Sequence, residues 1–231
     1  VNLAVPMVNC HMYDNPTDSK AVGPCKTANS YYDPSINGTI QACTSGCALC
    51  QDHNCWFSVS YSDNSYIRGP LISDYVMLSD LGVQSTFGGI EREAPNFSVG
   101  SCDGILGLAF SALDSADGDC LFSRMVEEGV VEHDVFSICL GEKAGELFLG
   151  GYDPDLDAGP ISYVDMVEPY DFYRVPMQDL QIGPHSIQID KSLYANTIID
   201  SGTSFIELAS EIWDAFVSVY QSQYAELPHV D

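Results

Sequence analysis

The run NTIIDSGTSFIEL, residues 196 to 208, sets a single acid, Asp200, between the pair Ile198 and Ile199 and the small turn Ser201, Gly202, Thr203 and Ser204. A carboxylate in an apolar strand is costly to keep ionised unless hydrogen bonds or a second charge compensate it. The flanking residues are of the kind that can do so. Gly202 lets the chain turn sharply and bring its amide to the carboxylate, and the hydroxyls of Thr203 and Ser204 can hold an outer oxygen or brace the turn. Taken alone, the pattern suits a structural acid at a strand end as well as half of a catalytic pair, so the rest of the chain has to separate the two.

Working outward, the dominant period is two. CWFSVSY, YIRGPLISDYVML, GVQSTFGGIE, DVFSICLG, GELFLGG, FYRVPMQDLQIG, HSIQID and NTIIDSG itself read as strands bounded by Gly, Pro, Asn or Asp. Helical signals are few. CLFSRMVEEG carries Gly129 as a C-terminal stop, and in SEIWDAFVSVYQSQYAE Ser210 is placed to cap a helix with Ile212, Trp213, Phe216 and Tyr220 on one face. The expected fold class is mostly β with inserted helices. The cysteine-rich first part gives way to a cysteine-free remainder near Gly145, which divides the chain into residues 1–145 and 146–231. After the last helix no further strand closes a sheet, so the fold is expected to be incomplete at that end.

Composition narrows the function classes. The 231 residues hold 33 acidic and 8 basic side chains, a net charge of −25, which repels phosphate backbones and anionic lipid heads. Nucleic acid is therefore a poor candidate partner and is not expected, and no apolar run is long enough to span a bilayer. The acids are scattered through apolar sequence, as on a solvated folded surface. Nine cysteines, four of them crowded in CTSGCALCQDHNC, fit disulfides in an oxidising compartment better than zinc, because the spacings match no paired zinc pattern. Cys10, Cys25, Cys43, Cys47, Cys50 and Cys55 are the bridge candidates, with pairing left open, and no metal or other cofactor is expected. The sequons at Asn37 and Asn96 agree with secretory passage. GSCDG at residues 100–104 has the spacing of a nucleophile elbow around Cys102, but apolar ILGLAF follows it where a helix is required, so a disulfide cysteine is the better reading. The five histidines show no metal-binding spacing and read as surface residues.

These pieces together resemble the pepsin-like aspartic proteases, in order along the whole chain. IIDSGTS is similar to the family's second active-site motif, an aspartate followed by Thr or Ser, Gly, and Thr or Ser. SYSDNSYIRGPLISDYV resembles the flap hairpin, with Tyr61 at the flap tyrosine and Asn64 where glycine is usual; asparagine tolerates left-handed geometry. DGILGLAF, YYDPSINGT, FSICLG and GELFLGGYDPDLDAGPISYV match further landmarks. The opening VNLAVP resembles the stretch directly after the family's first D-T-G-S motif, with Ala4 in place of a tryptophan. EPYDFYRV, and GLAF with the acidic loop after it, lean toward the β-secretase (memapsin) side of the family, although the cysteine-rich insertion does not.

The resemblance implies a bilobal pepsin-like acid protease fold, incomplete at both ends. Residues 1–145 form the N-terminal lobe with the flap, and 146–231 the C-terminal lobe. It implies an aspartic endopeptidase acting through a water-activating aspartate dyad, of which this chain holds the second member, Asp200. Ser201, Gly202, Thr203 and Ser204 support that acid, and Tyr61 closes over an extended polypeptide substrate. A chain with one member of the dyad is expected to be inactive alone, and a monomer of the secretory pathway is expected, extracellular or in a vacuolar or lysosome-like compartment. Two alternatives accompany this reading. One is a pepsin-like binding protein that has lost its first aspartate, with Ala4 and Asn64 as its departures; the other is a homodimer giving one aspartate per chain.

Overall fold

The computed structural model describes residues 3–26, 30–97, 103–113, 120–156 and 159–224. It divides into two compact units, residues 1–160 and 161–231. The chain is mostly β with few helices, as its period-two patterning requires.

The first unit is built on β1 (Leu3–Met12), β2 (Gly23–Pro24), β3 (Thr39–Ile40), β4 (Leu49–Gln51), β5 (Asn54–Ser60), β6 (Tyr66–Leu78), β7 (Leu81–Glu93) and β8 (Ile105–Leu106). They form one sheet in the order β2-β1-β7-β6-β5-β4, with β3 added to β6 and β8 to β1. Only the β1–β7 pairing among these is parallel. The long β6–β7 hairpin turns through Ser79 and Asp80 with Leu78 opposite Leu81, and Ser79 takes a φ of 57° to close so short a loop. Alternation then drives Phe57, Ile67, Leu71 and Ile90 into one buried cluster, while Met7, Ile72 and Phe87 fill another. β8 pairs antiparallel with β1, where Ala4 stands opposite Ile105. Gly104 permits this, because a Cβ there would run into the Ala4 carbonyl oxygen.

Helix α1 (Leu121–Glu127) packs Leu121, Phe122 and Met125 against Val83 of β7. It stops where expected, with Gly129 at φ 71°. β9 (Phe136–Leu140) and β10 (Gly145–Leu149) pair as a separate hairpin. The division anticipated near Gly145 thus falls on the first residue of β10. Pairing with β9 keeps that segment in the first unit, and the observed division comes after Pro160.

Glu93 ends β7 with its side chain inside, only 2% exposed, and accepts a hydrogen bond from the Lys26 amide at 3.1 Å. Burial pushes its carboxyl above the ordinary 4.5, against smaller lowering effects of the Lys26 amide and ammonium. A raised folded-state pKa means that the folded chain binds the proton more tightly than the unfolded one. The associated stability is complete below the unfolded value and is lost as pH rises through the folded value. Thermal unfolding of Glu93→Gln against the parent should therefore show a smaller loss of Tm as pH climbs from about 4 toward neutrality. Parallel curves over that range would contradict the assignment.

In the second unit β11 (Gln181–Ile182) and β12 (His185–Ser186) form a two-residue pair, and α2 (Ser210–Gln223) is the one long helix among the described residues. Ile187, Tyr194 and Ile212 form its core with Met177, Leu180 and Phe216 around them. Trp213, Phe216, Tyr220 and Tyr224 stack successively along α2, at 5.8, 6.5 and 5.9 Å between ring centroids. Ser210 is the first helical residue and not the cap, which is Ala209. The strands expected over FYRVPMQDLQIG, HSIQID and NTIIDSG shrink to that two-residue pair and a single bridge between Arg174 and Ile198. Alternation makes a strand only where a neighbour offers a matching edge, and here each pairing runs out within two residues. Ile199, Phe205 and Ile206 are consequently exposed, so the apolar setting anticipated for Asp200 is not formed within this unit.

Candidate active site

The Asp200 turn is entered from the bridge at Ile198, where Val175 N donates to Thr197 O and Ile199 N to Tyr173 O, both at 3.0 Å. The next residue is Asp200, and its own loop closes on its carboxylate. Gly202 N donates to Oδ1 at 2.8 Å and Thr203 Oγ1 to Oδ2 at 2.7 Å. A Cβ on Gly202 would stand 3.1 Å from Oδ1, so glycine is what lets the amide approach this closely. The carboxylate is thereby fixed in orientation with lone pairs still available on both oxygens, and it is exposed. Ser201 and Ser204 are also exposed and make no hydrogen bond to Asp200 among the described residues. Thr203 holds the acid directly.

Tyr61 follows β5 in the first unit and opens a tight turn before β6. Its amide donates to Ser65 O at 2.9 Å, and Asn64 N donates to Tyr61 O at 3.1 Å. Asn64 has φ 63°, the left-handed conformation in which asparagine stands in for glycine. Ser65 N donates to Asp63 Oδ1 at 2.8 Å, and hydrogen bonding from the Ser65 side chain first, then from its amide, holds the Asp63 carboxyl below its usual range. The Tyr61 ring packs on the main core cluster and stacks on Phe97 at 5.7 Å and 23°. Burial, helped by the nearby Asp63 charge, pushes the phenol up to about 12, so it is un-ionised throughout the acidic and neutral range.

The six bridge candidates pair as Cys10–Cys25, Cys43–Cys50 and Cys47–Cys55, a choice the spacing left open. Cys43, Cys47 and Cys50 lie close enough together to suggest a metal cluster, but each is bonded to another cysteine. Cys102 lies outside the described residues. Buried Cys120 donates to Ala109 O at 2.9 Å, and Cys139 is exposed on β9. Asn37 and Asn96 are both exposed in turns. His11, His53, His133 and His185 are exposed, as their polar surroundings indicated.

Two features had no signal in the sequence. Phe97 meets Tyr61 from 36 residues away, a pairing that neither segment's local pattern encodes. Arg68 and Arg92 face each other across β6 and β7, lie over the rings of Trp56 and Tyr13, and donate to the carbonyls of Pro16 and Asp18. They hold the loop after β1 against the sheet beside the β5–β6 hairpin.

The family model described as eukaryotic aspartyl protease matches residues 2–228. The chain is 28% identical to Rhizopuspepsin-4 of Rhizopus niveus over 204 residues, 86% of this chain and 48% of the relative. It is 32% identical to an aspartic protease of Phaffia rhodozyma over 151 residues, 65% of this chain and 36% of the relative. With Pepsin II-1 of Oryctolagus cuniculus it shares 30% identity over 154 residues, 64% of this chain and 39% of the relative. The chain thus spans about half the length, or less, of the curated relatives it matches.

Proposed function

The chain belongs to the eukaryotic aspartyl protease family, and from that premise we propose that it carries one catalytic aspartate, Asp200, and the flap tyrosine, Tyr61, of an aspartic endopeptidase. The observation that carries the proposal is the fixed carboxylate: both oxygens of Asp200 are held by its own loop, through the Gly202 amide and the Thr203 hydroxyl. An acid that orients a water has to be immobile while keeping lone pairs free, and this loop meets both conditions.

The reaction is peptide-bond hydrolysis. Asp200 works with a second aspartate from a D-T-G-S type motif, which the 231 residues given do not include. Two carboxylates about 3 Å apart share one proton and titrate as a pair. A water held between them loses a proton to one acid as it attacks the carbonyl carbon, and the other acid donates to the carbonyl oxygen. Proton transfer to the amide nitrogen then breaks the C–N bond and releases the amine. The Tyr61 phenol, kept neutral, is a substrate-side hydrogen-bond donor of the flap. The substrate is an extended polypeptide, bound by a monomer.

Three disulfides support passage through the secretory pathway, with an extracellular or vacuolar destination. Among the described residues no helix is long and apolar enough to cross a membrane. Within the family, the stretch from Glu168 to Val175 is the basis for placing the chain nearer the β-secretase side.

The test is cleavage of a denatured polypeptide by the natural full-length protein across strongly acidic to neutral pH. A maximum on the acidic side supports a carboxylate dyad, and a maximum at or above neutrality contradicts it. Thr203→Val should lower kcat by about tenfold, the size of one hydrogen bond to a charged group, while Thr203→Ser restores most of it. Equal kcat in Thr203→Val and the parent would remove that hydroxyl from the catalytic arrangement.

A further inference from the structure

Asn96 and Phe97, the first two residues of the sequon Asn96-Phe97-Ser98, stand against the flap turn. Asn96 is exposed, and its Nδ2 donates to the Asp63 carbonyl at 3.3 Å. Its neighbour Phe97 is buried and stacks on Tyr61. The turn that receives these contacts is internally braced by the Tyr61–Ser65, Asn64–Tyr61 and Ser65–Asp63 hydrogen bonds, so a group attached at Asn96 keeps a fixed relation to it. A carboxamide has two N–H donors, and Asp63 takes one. The other is the hydrogen that N-glycosylation replaces: the sugar C1–Nδ2 bond forms, the C1–O bond to a lipid diphosphate carrier breaks, and the Nδ2 proton is released. The bond to Asp63 and the sugar are therefore compatible on one nitrogen.

We propose that Asn96 carries an N-linked glycan seated on the flap turn, which screens the turn and limits access beside Tyr61 to thin, extended polypeptide. The access part rests on the reading of Tyr61 as a flap tyrosine. Phe97 buried next to an exposed Asn96 leaves the carboxamide as the outward group of the sequon. The second sequon, at Asn37, makes no hydrogen bond with the flap turn among the described residues and serves as the control.

The experiment uses the natural full-length protein secreted from a eukaryotic host. Ser98→Ala deletes the sequon but keeps the Asn96 carboxamide and its bond to Asp63, and Asn37→Gln deletes the other site. Peptide mass analysis with and without glycosidase reads occupancy. Hydrogen exchange over residues 61–65 reads the screening, and kcat/KM on a folded protein relative to a short peptide reads access. The expected result is a glycan on Asn96 and faster exchange at the turn in Ser98→Ala. The folded-to-short ratio should rise about tenfold, with the short peptide changed by less than about twofold. A bare Asn96, unchanged exchange, or an unchanged ratio in Ser98→Ala overturns the proposal, as does an equal shift of the ratio in Asn37→Gln. If the parent cleaves neither substrate, the protease reading fails. Exchange then decides the seating alone: slower exchange with the glycan upholds it and equal exchange overturns it.

Discussion

Replacing Asp200 with asparagine in the natural full-length protein is expected to lower kcat for peptide cleavage by about four orders of magnitude, the scale on which a member of a catalytic unit acts. The substitution is nearly isosteric. Oδ1 can still accept from the Gly202 amide, which holds it at 2.8 Å in the parent. The second position becomes an NH₂ group facing the Thr203 hydroxyl, which in the parent donates to Oδ2 at 2.7 Å and can turn to accept instead. The loop is thus retained while the ionisable carboxyl is removed. Because Asp200 is exposed, the cost to folding should stay within about 0.5 kcal/mol. Measured together, kcat and the urea midpoint separate the two roles: a large fall in kcat with an unmoved midpoint is a catalytic acid, and the reverse is a structural one.

The second large effect concerns stability. Removing the Cys10–Cys25 bridge by a paired substitution to alanine should lower unfolding free energy by about 3 kcal/mol, the loop-closure value for the 15-residue separation of these cysteines. Both sulfurs are buried in the main core cluster beside Glu93, so lost packing adds to the entropic term. The bridge also closes the loop held by Arg68 and Arg92, next to the hairpin that bears Tyr61. Urea unfolding of the parent and the doubly substituted protein measures the difference. A loss below about 1 kcal/mol would mean that the sheet and the arginine contacts already confine that loop in the absence of the bond.

The legible parts of the fold share a physical cause. The strands of the first unit alternate over many residues and find long partners, as β6 and β7 do, so pattern and pairing coincide. Gly129 could be read as a helix stop, and Asn64 as a left-handed turn residue, because backbone conformation restricts side-chain choice at such positions. Disulfide partners were not legible, since six cysteines allow many connectivities and only the folded sheet brings Cys47 to Cys55 and Cys43 to Cys50. Contacts such as Phe97 on Tyr61 depend on where two distant segments meet. Around Asp200 the motif names Gly202, Thr203 and Ser204 as candidate partners of the acid; among the described residues Gly202 and Thr203 hydrogen-bond it and Ser204 does not. Its surroundings could not be named, because the apolar flanks Ile199, Phe205 and Ile206 have no strand partner within their own unit. The charge of −25 disfavours polyanionic partners and carries no information about the site itself.

The most direct measurement is calorimetric titration of the natural full-length protein and its Asp200→Asn form with a statine-type peptide, a transition-state analogue for water attack on a peptide carbonyl, at acidic pH. If Asp200 is one acid of a catalytic pair, the parent binds one analogue per chain and Asp200→Asn binds at least about a hundredfold more weakly. Equal affinity in the two proteins, or peptide cleavage that saturating analogue leaves untouched, would contradict the assignment of Asp200 as the catalytic aspartate.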